Sequence, residues 1–84
     1  MGTMLIPVDV ADPGLGVFKS ERAISFEAGG ERYELIVDEN DLQGSNLKVY
    51  LVARRGDEAL IDLPRETFTS GYRIRVPYSL LQPA

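Results

Sequence analysis

The chain contains no cysteine, no histidine and no tryptophan among its 84 residues. Without cysteine it can form neither a disulfide framework nor a thiolate nucleophile, which suits a reducing cytoplasm. Without histidine or cysteine, the Ser-His-Asp and Cys-His routes to nucleophilic catalysis and the usual zinc, copper and haem ligand sets are missing. We therefore expect a protein without a metal or a cofactor.

Motifs of phosphate chemistry and of serine hydrolases are absent too, since neither Gly-x-x-x-x-Gly-Lys nor Gly-x-Ser-x-Gly occurs. Acid-base catalysis by two carboxylates survives as an option, but 13 acidic residues make some close pair inevitable. The sequence therefore predicts a protein that is not an enzyme. No apolar run could span a bilayer and no signal peptide is recognisable, so we expect a cytoplasmic protein without membrane contact.

The composition is that of one folded domain. Hydrophobic residues make up 44% of the chain and charged residues 26%, which is ordinary for a globular protein. A chain of 84 residues has room for one core, so we assign 1–84 to a single β domain. The turn-forming run Asp12-Pro13-Gly14-Leu15-Gly16 predicts a loop, and residues 1–16 are where we expect partial disorder.

The clearest local structure is a β-hairpin around Gly29-Gly30. Paired glycines supply the positive φ angles of a two-residue turn, and apolar and polar residues alternate on both sides of it. Closing the turn there puts Phe26 opposite Tyr33 and Glu27 opposite Arg32. One face then collects the apolar side chains of Ile24, Phe26, Tyr33, Leu35 and Val37. A slip of one residue would expose the aromatic rings, so the pattern fixes the register.

Further short strands are predicted at 4–10, 17–19, 47–53, 58–63 and 72–76. The run 47–53 is strongly apolar and is expected to be central. In the last strand we expect Tyr72, Ile74 and Val76 to point inward and both arginines outward. No segment is periodic enough for a long helix. The fold class is therefore all-β, a small barrel or two-layer sandwich of about six short antiparallel strands built from hairpins.

Segments 37–42, 63–68 and 76–81 share one form: an apolar residue, then Asp or Pro, then three others, then an apolar residue. This spacing is that of a hydrophobic staple, and it predicts a single helical turn after each strand. Such turns would fold Leu42, Phe68 and Leu81 back against the open ends of the β-structure. Ordinary β-turns are the alternative. Asp38-Glu39-Asn40-Asp41 could offer oxygen ligands to a cation, but a capping segment is the favoured interpretation.

Charge is distributed unevenly along the chain. Residues 1–42 hold three basic and nine acidic residues, a net −6, whereas residues 43–84 hold six basic and four acidic residues, a net +2. Unless folding interleaves the two halves, the molecule should have an acidic and a basic side.

The basic half contains the candidate partner-binding residues, which combine arginine with tyrosine: Arg54, Arg55, Arg65, Tyr72, Arg73, Arg75 and Tyr78. Arginine and tyrosine are common anchors of protein interfaces, and they also suit phosphate pairing and base stacking. A solvated face, with the arginines paired to nearby carboxylates, is the interpretation we rank first for these residues, ahead of a protein interface and then of a nucleic-acid surface. We expect a non-enzymatic module that binds a protein or a second copy of itself. A nucleic-acid-binding or transcriptional regulatory protein is the alternative, which the net charge of −4 disfavours. No motif in the chain identifies a family.

Overall fold

A computed structural model describes residues 2–11 and 20–84, and within these ranges it contains strands, two 3-10 turns and no α-helix. The strands are β1 (Gly2–Pro7), β2 (Asp9–Val10), β3 (Glu21–Ala28), β4 (Glu31–Asp38), β5 (Leu42–Gln43), β6 (Asn46–Arg55), β7 (Glu58–Thr67), β8 (Gly71–Pro77) and β9 (Gln82–Pro83). The 3-10 turns span Glu39–Asp41 and Tyr78–Leu80. The all-β prediction is confirmed, and six of the described strands are longer than two residues.

The described strands form two antiparallel sheets. The large sheet has the order β8-β7-β6-β1-β9, with β5 also pairing with β6, and the small sheet has the order β2-β3-β4. The arrangement is therefore a two-layer one and not a closed barrel, which decides between the two predicted architectures. The run 47–53 lies within β6, whose neighbours are β1, β5 and β7, so its central position is confirmed.

The hairpin of β3 and β4 has the predicted turn and register. Phe26 lies opposite Tyr33, and Glu27 opposite Arg32. Gly29 and Gly30 have φ of 60° and 81°, angles that residues with a Cβ atom rarely adopt. All five side chains assigned to its apolar face are buried. The apolar face of the hairpin is therefore the side of the small sheet that packs against the core.

The hydrophobic core lies between the two sheets. The largest side chains with almost no exposure are contributed by both sheets: Ile6, Leu35, Leu47, Ile61, Val37 and Val76. Backbone hydrogen bonds also join segments outside the regular ladders, among them one from the Phe68 N–H to the Glu34 carbonyl at 3.0 Å and one from the Val8 N–H to the Ser45 carbonyl at 3.0 Å. The first ties the end of β7 to β4 and so fastens one side of the two-layer structure.

Two of the three predicted helical turns are confirmed. Asp38 caps the first: its carboxylate accepts a hydrogen bond from the Asn40 N–H at 2.8 Å, and the Asp41 carboxylate accepts one from the Asp38 N–H at 3.0 Å. The two hydrogen bonds form a capping box, so the predicted capping segment is confirmed. Pro77 precedes the second turn, and Leu81 after it is buried. Leu42 is partly buried against the core.

The third predicted turn, over residues 63–68, is wrong. β7 continues through Thr67, and Phe68 is 67% exposed instead of covering an open end. Pro64 cannot donate a ladder hydrogen bond, and the pairing of β7 with β8 shifts register between Asp62 and Thr67. The chain stays extended because it crosses towards β4, where Phe68 finds its backbone partner.

The predicted inward orientation of Tyr72 is also wrong. Ile74 and Val76 point inward as expected, but Tyr72 is 47% exposed. It lies at the start of β8, beside the irregular part of β7, and faces a groove instead of the core. The predicted strand at 17–19 and the loop at 12–16 lie outside the described residues. Within 1–16, residues 2–11 form β1, β2 and their connections.

Candidate interaction surface

The seven candidate residues all lie on or next to the large sheet, but the structure separates them into distinct groups. Arg54 and Arg55 end β6, and Arg65 lies in the irregular part of β7. Tyr72, Arg73 and Arg75 belong to β8, and Tyr78 begins the 3-10 turn that follows it. Because successive side chains of a strand point to opposite faces, neighbours such as Arg54 and Arg55 point to opposite faces of the sheet.

Arg73 is held by an acidic partner on the neighbouring strand. Its Nε donates to Asp62 Oδ1 at 2.7 Å and its second guanidinium nitrogen donates to Oδ2 at 3.0 Å, which is a bidentate ion pair between directly opposed residues. These hydrogen bonds from Arg73 hold the pKa of the Asp62 carboxyl below its usual value. The charge of Arg73 is therefore largely neutralised. For this residue, the structure agrees with the interpretation of a solvated face whose arginines pair with nearby carboxylates.

Arg54 and Tyr78 form a separate contact at the end of the β6–β7 hairpin. The Arg54 guanidinium carbon lies 3.7 Å from the centre of the Tyr78 ring, and its Nε donates to the Gly56 carbonyl at 3.0 Å. The Tyr78 N–H in turn donates to the Asp57 carbonyl at 2.7 Å. This cation–π contact ties the hairpin to the 3-10 turn, so both side chains act within the fold.

Arg55 and Arg75 come together at an open pocket of about 180 Å³ on the outer face of the large sheet. Its lining includes Leu60, which lies directly opposite Arg75, and Glu58, which lies directly opposite Arg55. Within residues 2–11 and 20–84, neither arginine has a hydrogen bond or ion pair. The pocket thus offers two unneutralised guanidinium groups around a partly apolar floor.

Arg65 and Tyr72 line a second, more open groove of about 500 Å³ together with Pro64. Arg65 also has no ion-pair partner in the described part of the chain. The groove borders the Asp62–Arg73 pair, because Asp62 contributes to its wall. The two openings therefore follow one another along β7 and β8, the pocket at residues 58–60 and 75 and the groove at residues 62–66 and 72.

The two layers carry charge of opposite sign. The strands of the small sheet hold six acidic and two basic residues, a net −4, whereas those of the large sheet hold six basic and three acidic residues, a net +3. The expected acidic and basic sides therefore correspond to the two sheets. The charges separate because β2, β3 and β4 of the first half form the small sheet, whereas β1, which joins the large sheet, carries no charged side chain.

Two residues of this surface were missed by the sequence analysis. Tyr50 is 49% exposed and lies opposite Asp62, in the row that also holds Arg73. Leu60 is half-buried in the pocket floor beside Arg75. The alternation in β6, in which Lys48 and Tyr50 are exposed while Leu47, Val49 and Leu51 are buried, could have revealed the tyrosine. Leu60 gave no such signal, since its neighbours are apolar as well.

Residues 2–11 and 20–84 contain no group of three His, Cys, Asp or Glu side chains suited to a metal ion. No helix in these ranges is long and apolar enough to cross a membrane. The chain matches no protein-family model, no curated protein and no solved structure.

Proposed function

We propose that this chain is a non-enzymatic binding module that recognises an acidic partner protein through the outer face of its large sheet. The observation that carries the proposal is the pocket in which Arg55 and Arg75 lie around Leu60 without an ion-pair partner among the described residues. Arginine beside apolar and aromatic side chains is the usual chemistry of an interface anchor, and a carboxylate would supply the missing counter-charge.

A protein fits this face better than a nucleic acid does. Glu58 and Asp62 lie among the arginines, and Asp62 already neutralises Arg73. A nucleic acid would have to bring its continuous row of phosphates past these carboxylates and near a second sheet of net negative charge. A protein can place a carboxylate at Arg75 and apolar groups at Leu60, which meets the mixed character of the pocket.

A second copy of the chain is a less suitable partner than a different protein. A closed two-fold dimer uses the same patch on both subunits, so the basic face would meet itself. The basic face of one copy and the acidic sheet of another would attract, but that contact is head-to-tail and would extend into chains. The cysteine-free composition fits a reducing compartment, and we place the module in the cytoplasm.

The test is a ¹H–¹⁵N titration of the labelled protein with a short glutamate-rich peptide, and separately with a mixed-sequence single-stranded oligonucleotide. We expect the peptide to shift the amide signals around Arg55, Leu60 and Arg75. The variant Arg55→Gln/Arg75→Gln should bind the peptide about tenfold more weakly, since charge-assisted hydrogen bonds are lost. Arg32→Gln is the matched control, because Arg32 is an exposed arginine on the acidic sheet.

Equal binding by the double variant and the wild type would refute the proposed surface. Tighter binding of the oligonucleotide, with an affinity that falls steeply as salt is added, would instead support a nucleic-acid-binding protein. Salt concentration is therefore varied for both ligands.

A further inference from the structure

The edges of the two sheets differ in how much open backbone they present. β9 and β2 are edge strands of only two residues each. β4 is longer, but the Phe68 N–H already occupies the Glu34 carbonyl at its edge. β8 has seven residues and pairs with β7 on one side, and no other described strand pairs with it. Its second side is the longest open edge in the described structure, and an open edge can accept another strand.

The side chains of β8 favour an acidic strand there. Ile74 and Val76 are buried in the core, while Arg73 and Arg75 are exposed on the outer face. A strand added to this edge would place its own outward residues directly opposite the two arginines, with Cβ atoms about 4.5–5.5 Å away. Arg75 has no ion-pair partner among the described residues, so a carboxylate opposite it would pair without displacing another group.

The same arrangement disfavours a second copy of β8 as the added strand. In a two-fold antiparallel pair centred on Ile74, Arg73 of one copy lies opposite Arg75 of the other, so two positive charges face each other at both positions. Centring the pair on Arg73 or on Arg75 sets that residue opposite itself. Directly opposed like charges destabilise strand pairing. The edge is thus protected against self-pairing while it remains open to a chain of opposite charge.

We propose that the partner binds as an extended segment that adds to β8 as a further strand, with acidic residues at every second position, one of them facing the unpaired Arg75 and the next lying beside the Arg73–Asp62 pair. This inference rests on the proposed function, and it specifies the conformation and the charge pattern of the segment. Main-chain hydrogen bonds would give affinity and the alternating carboxylates would give selectivity. Pro77 at the end of β8 limits the added pairing to the residues before it.

The experiment compares peptides of one composition. The first alternates glutamate with threonine or valine, and the second groups the same residues in blocks. Two further peptides carry the alternating sequence with N-methyl groups on the backbone nitrogens of either the odd or the even residues. Only one of these sets points its N–H groups towards β8 in a given antiparallel register.

We expect the alternating peptide to bind, and one N-methylated version to bind about tenfold more weakly or worse because it loses backbone hydrogen bonds. The other N-methylated version should keep its affinity. The Arg75→Glu variant should no longer bind the alternating peptide. It should instead bind a peptide of the same sequence in which lysine replaces glutamate. Arg32→Glu is the control for a change of net charge elsewhere.

Equal binding of the alternating and block peptides, with no effect of either N-methylation, would overturn strand addition. If the Arg55→Gln/Arg75→Gln variant still bound both peptides more weakly than the wild type, the proposed function would stand and only the strand-addition mode of binding would be wrong. If no acidic peptide bound at all, the proposed function itself would be refuted.

Discussion

Replacing Phe26 and Tyr33 by leucine, singly and together, tests the register on which the small sheet is built. The two residues lie directly opposite each other in β3 and β4, with ring centres 5.2 Å apart and ring planes inclined by 30°. Both side chains are buried, with 4% and 6% of their surface exposed. They therefore form a cross-strand aromatic pair that only this register can produce.

The expected coupling follows from that geometry. A tilted aromatic pair at this separation is worth about 0.5–1.5 kcal/mol beyond the apolar area it buries. The double variant should therefore be less destabilised than the sum of the two single variants by about 0.5–1.5 kcal/mol, since the pair energy is lost only once.

Urea denaturation measures this coupling. For a domain of this size the slope is about 1 kcal/mol per molar urea, so the non-additivity corresponds to a midpoint difference of about 0.5–1.5 M. Combining Phe26→Leu with Tyr50→Leu is the matched control, because Tyr50 lies on the outer face of the other sheet and should be additive within about 0.5 kcal/mol. Additive effects of the Phe26 and Tyr33 changes would refute the register.

A buried tyrosine, a capping box and a hairpin glycine have measurable consequences as well. Burial, together with the negative charge of Glu31, raises the pKa of Tyr33. The protonated Tyr33 side chain therefore contributes folding stability that is fully present below the unfolded pKa of about 10 and is lost as pH rises through the folded pKa. In an ultraviolet titration, the Tyr33→Phe variant should lack one tyrosine ionisation that the wild type shows at high pH. Asp38→Ala should cost about 1 kcal/mol in urea denaturation and Asp38→Asn much less, because asparagine still caps. Gly56 has φ of +60° with open space around it, so Gly56→Ala should lower stability by about 1–2 kcal/mol through backbone strain alone. Equal melting of Gly56→Ala and wild type would contradict that assignment.

Local patterns determined much of the β-structure. The alternation around Gly29-Gly30 sufficed for the register of the hairpin, because a side-chain period of two leaves one arrangement that buries both aromatic rings. Asp38 and the apolar spacing around it sufficed for the first 3-10 turn, because a capping box is formed within four residues. These interactions join residues that lie close together along the chain, so they can be predicted from the sequence.

Tertiary structure decided what the residues 63–68 and Tyr72 do. The staple-like spacing of 63–68 is overridden because β7 reaches across to β4 and gains the Phe68–Glu34 backbone bond. The alternation that buries Ile74 fails at Tyr72 because the ladder between β7 and β8 is irregular there. Neither outcome depends on a local preference, since each depends on a strand remote in sequence.

The candidate surface is divided in the same way. The sequence by itself determined that the seven candidate arginines and tyrosines lie in the second half, and that this half is basic. Only the pairing of β7 with β8 decided that Arg73 faces Asp62 while Arg75 faces Leu60, and so which guanidinium is neutralised and which is available. Composition sets how much charge a chain carries, but ion pairing depends on distances of a few ångströms, and those are fixed only when the strands come together.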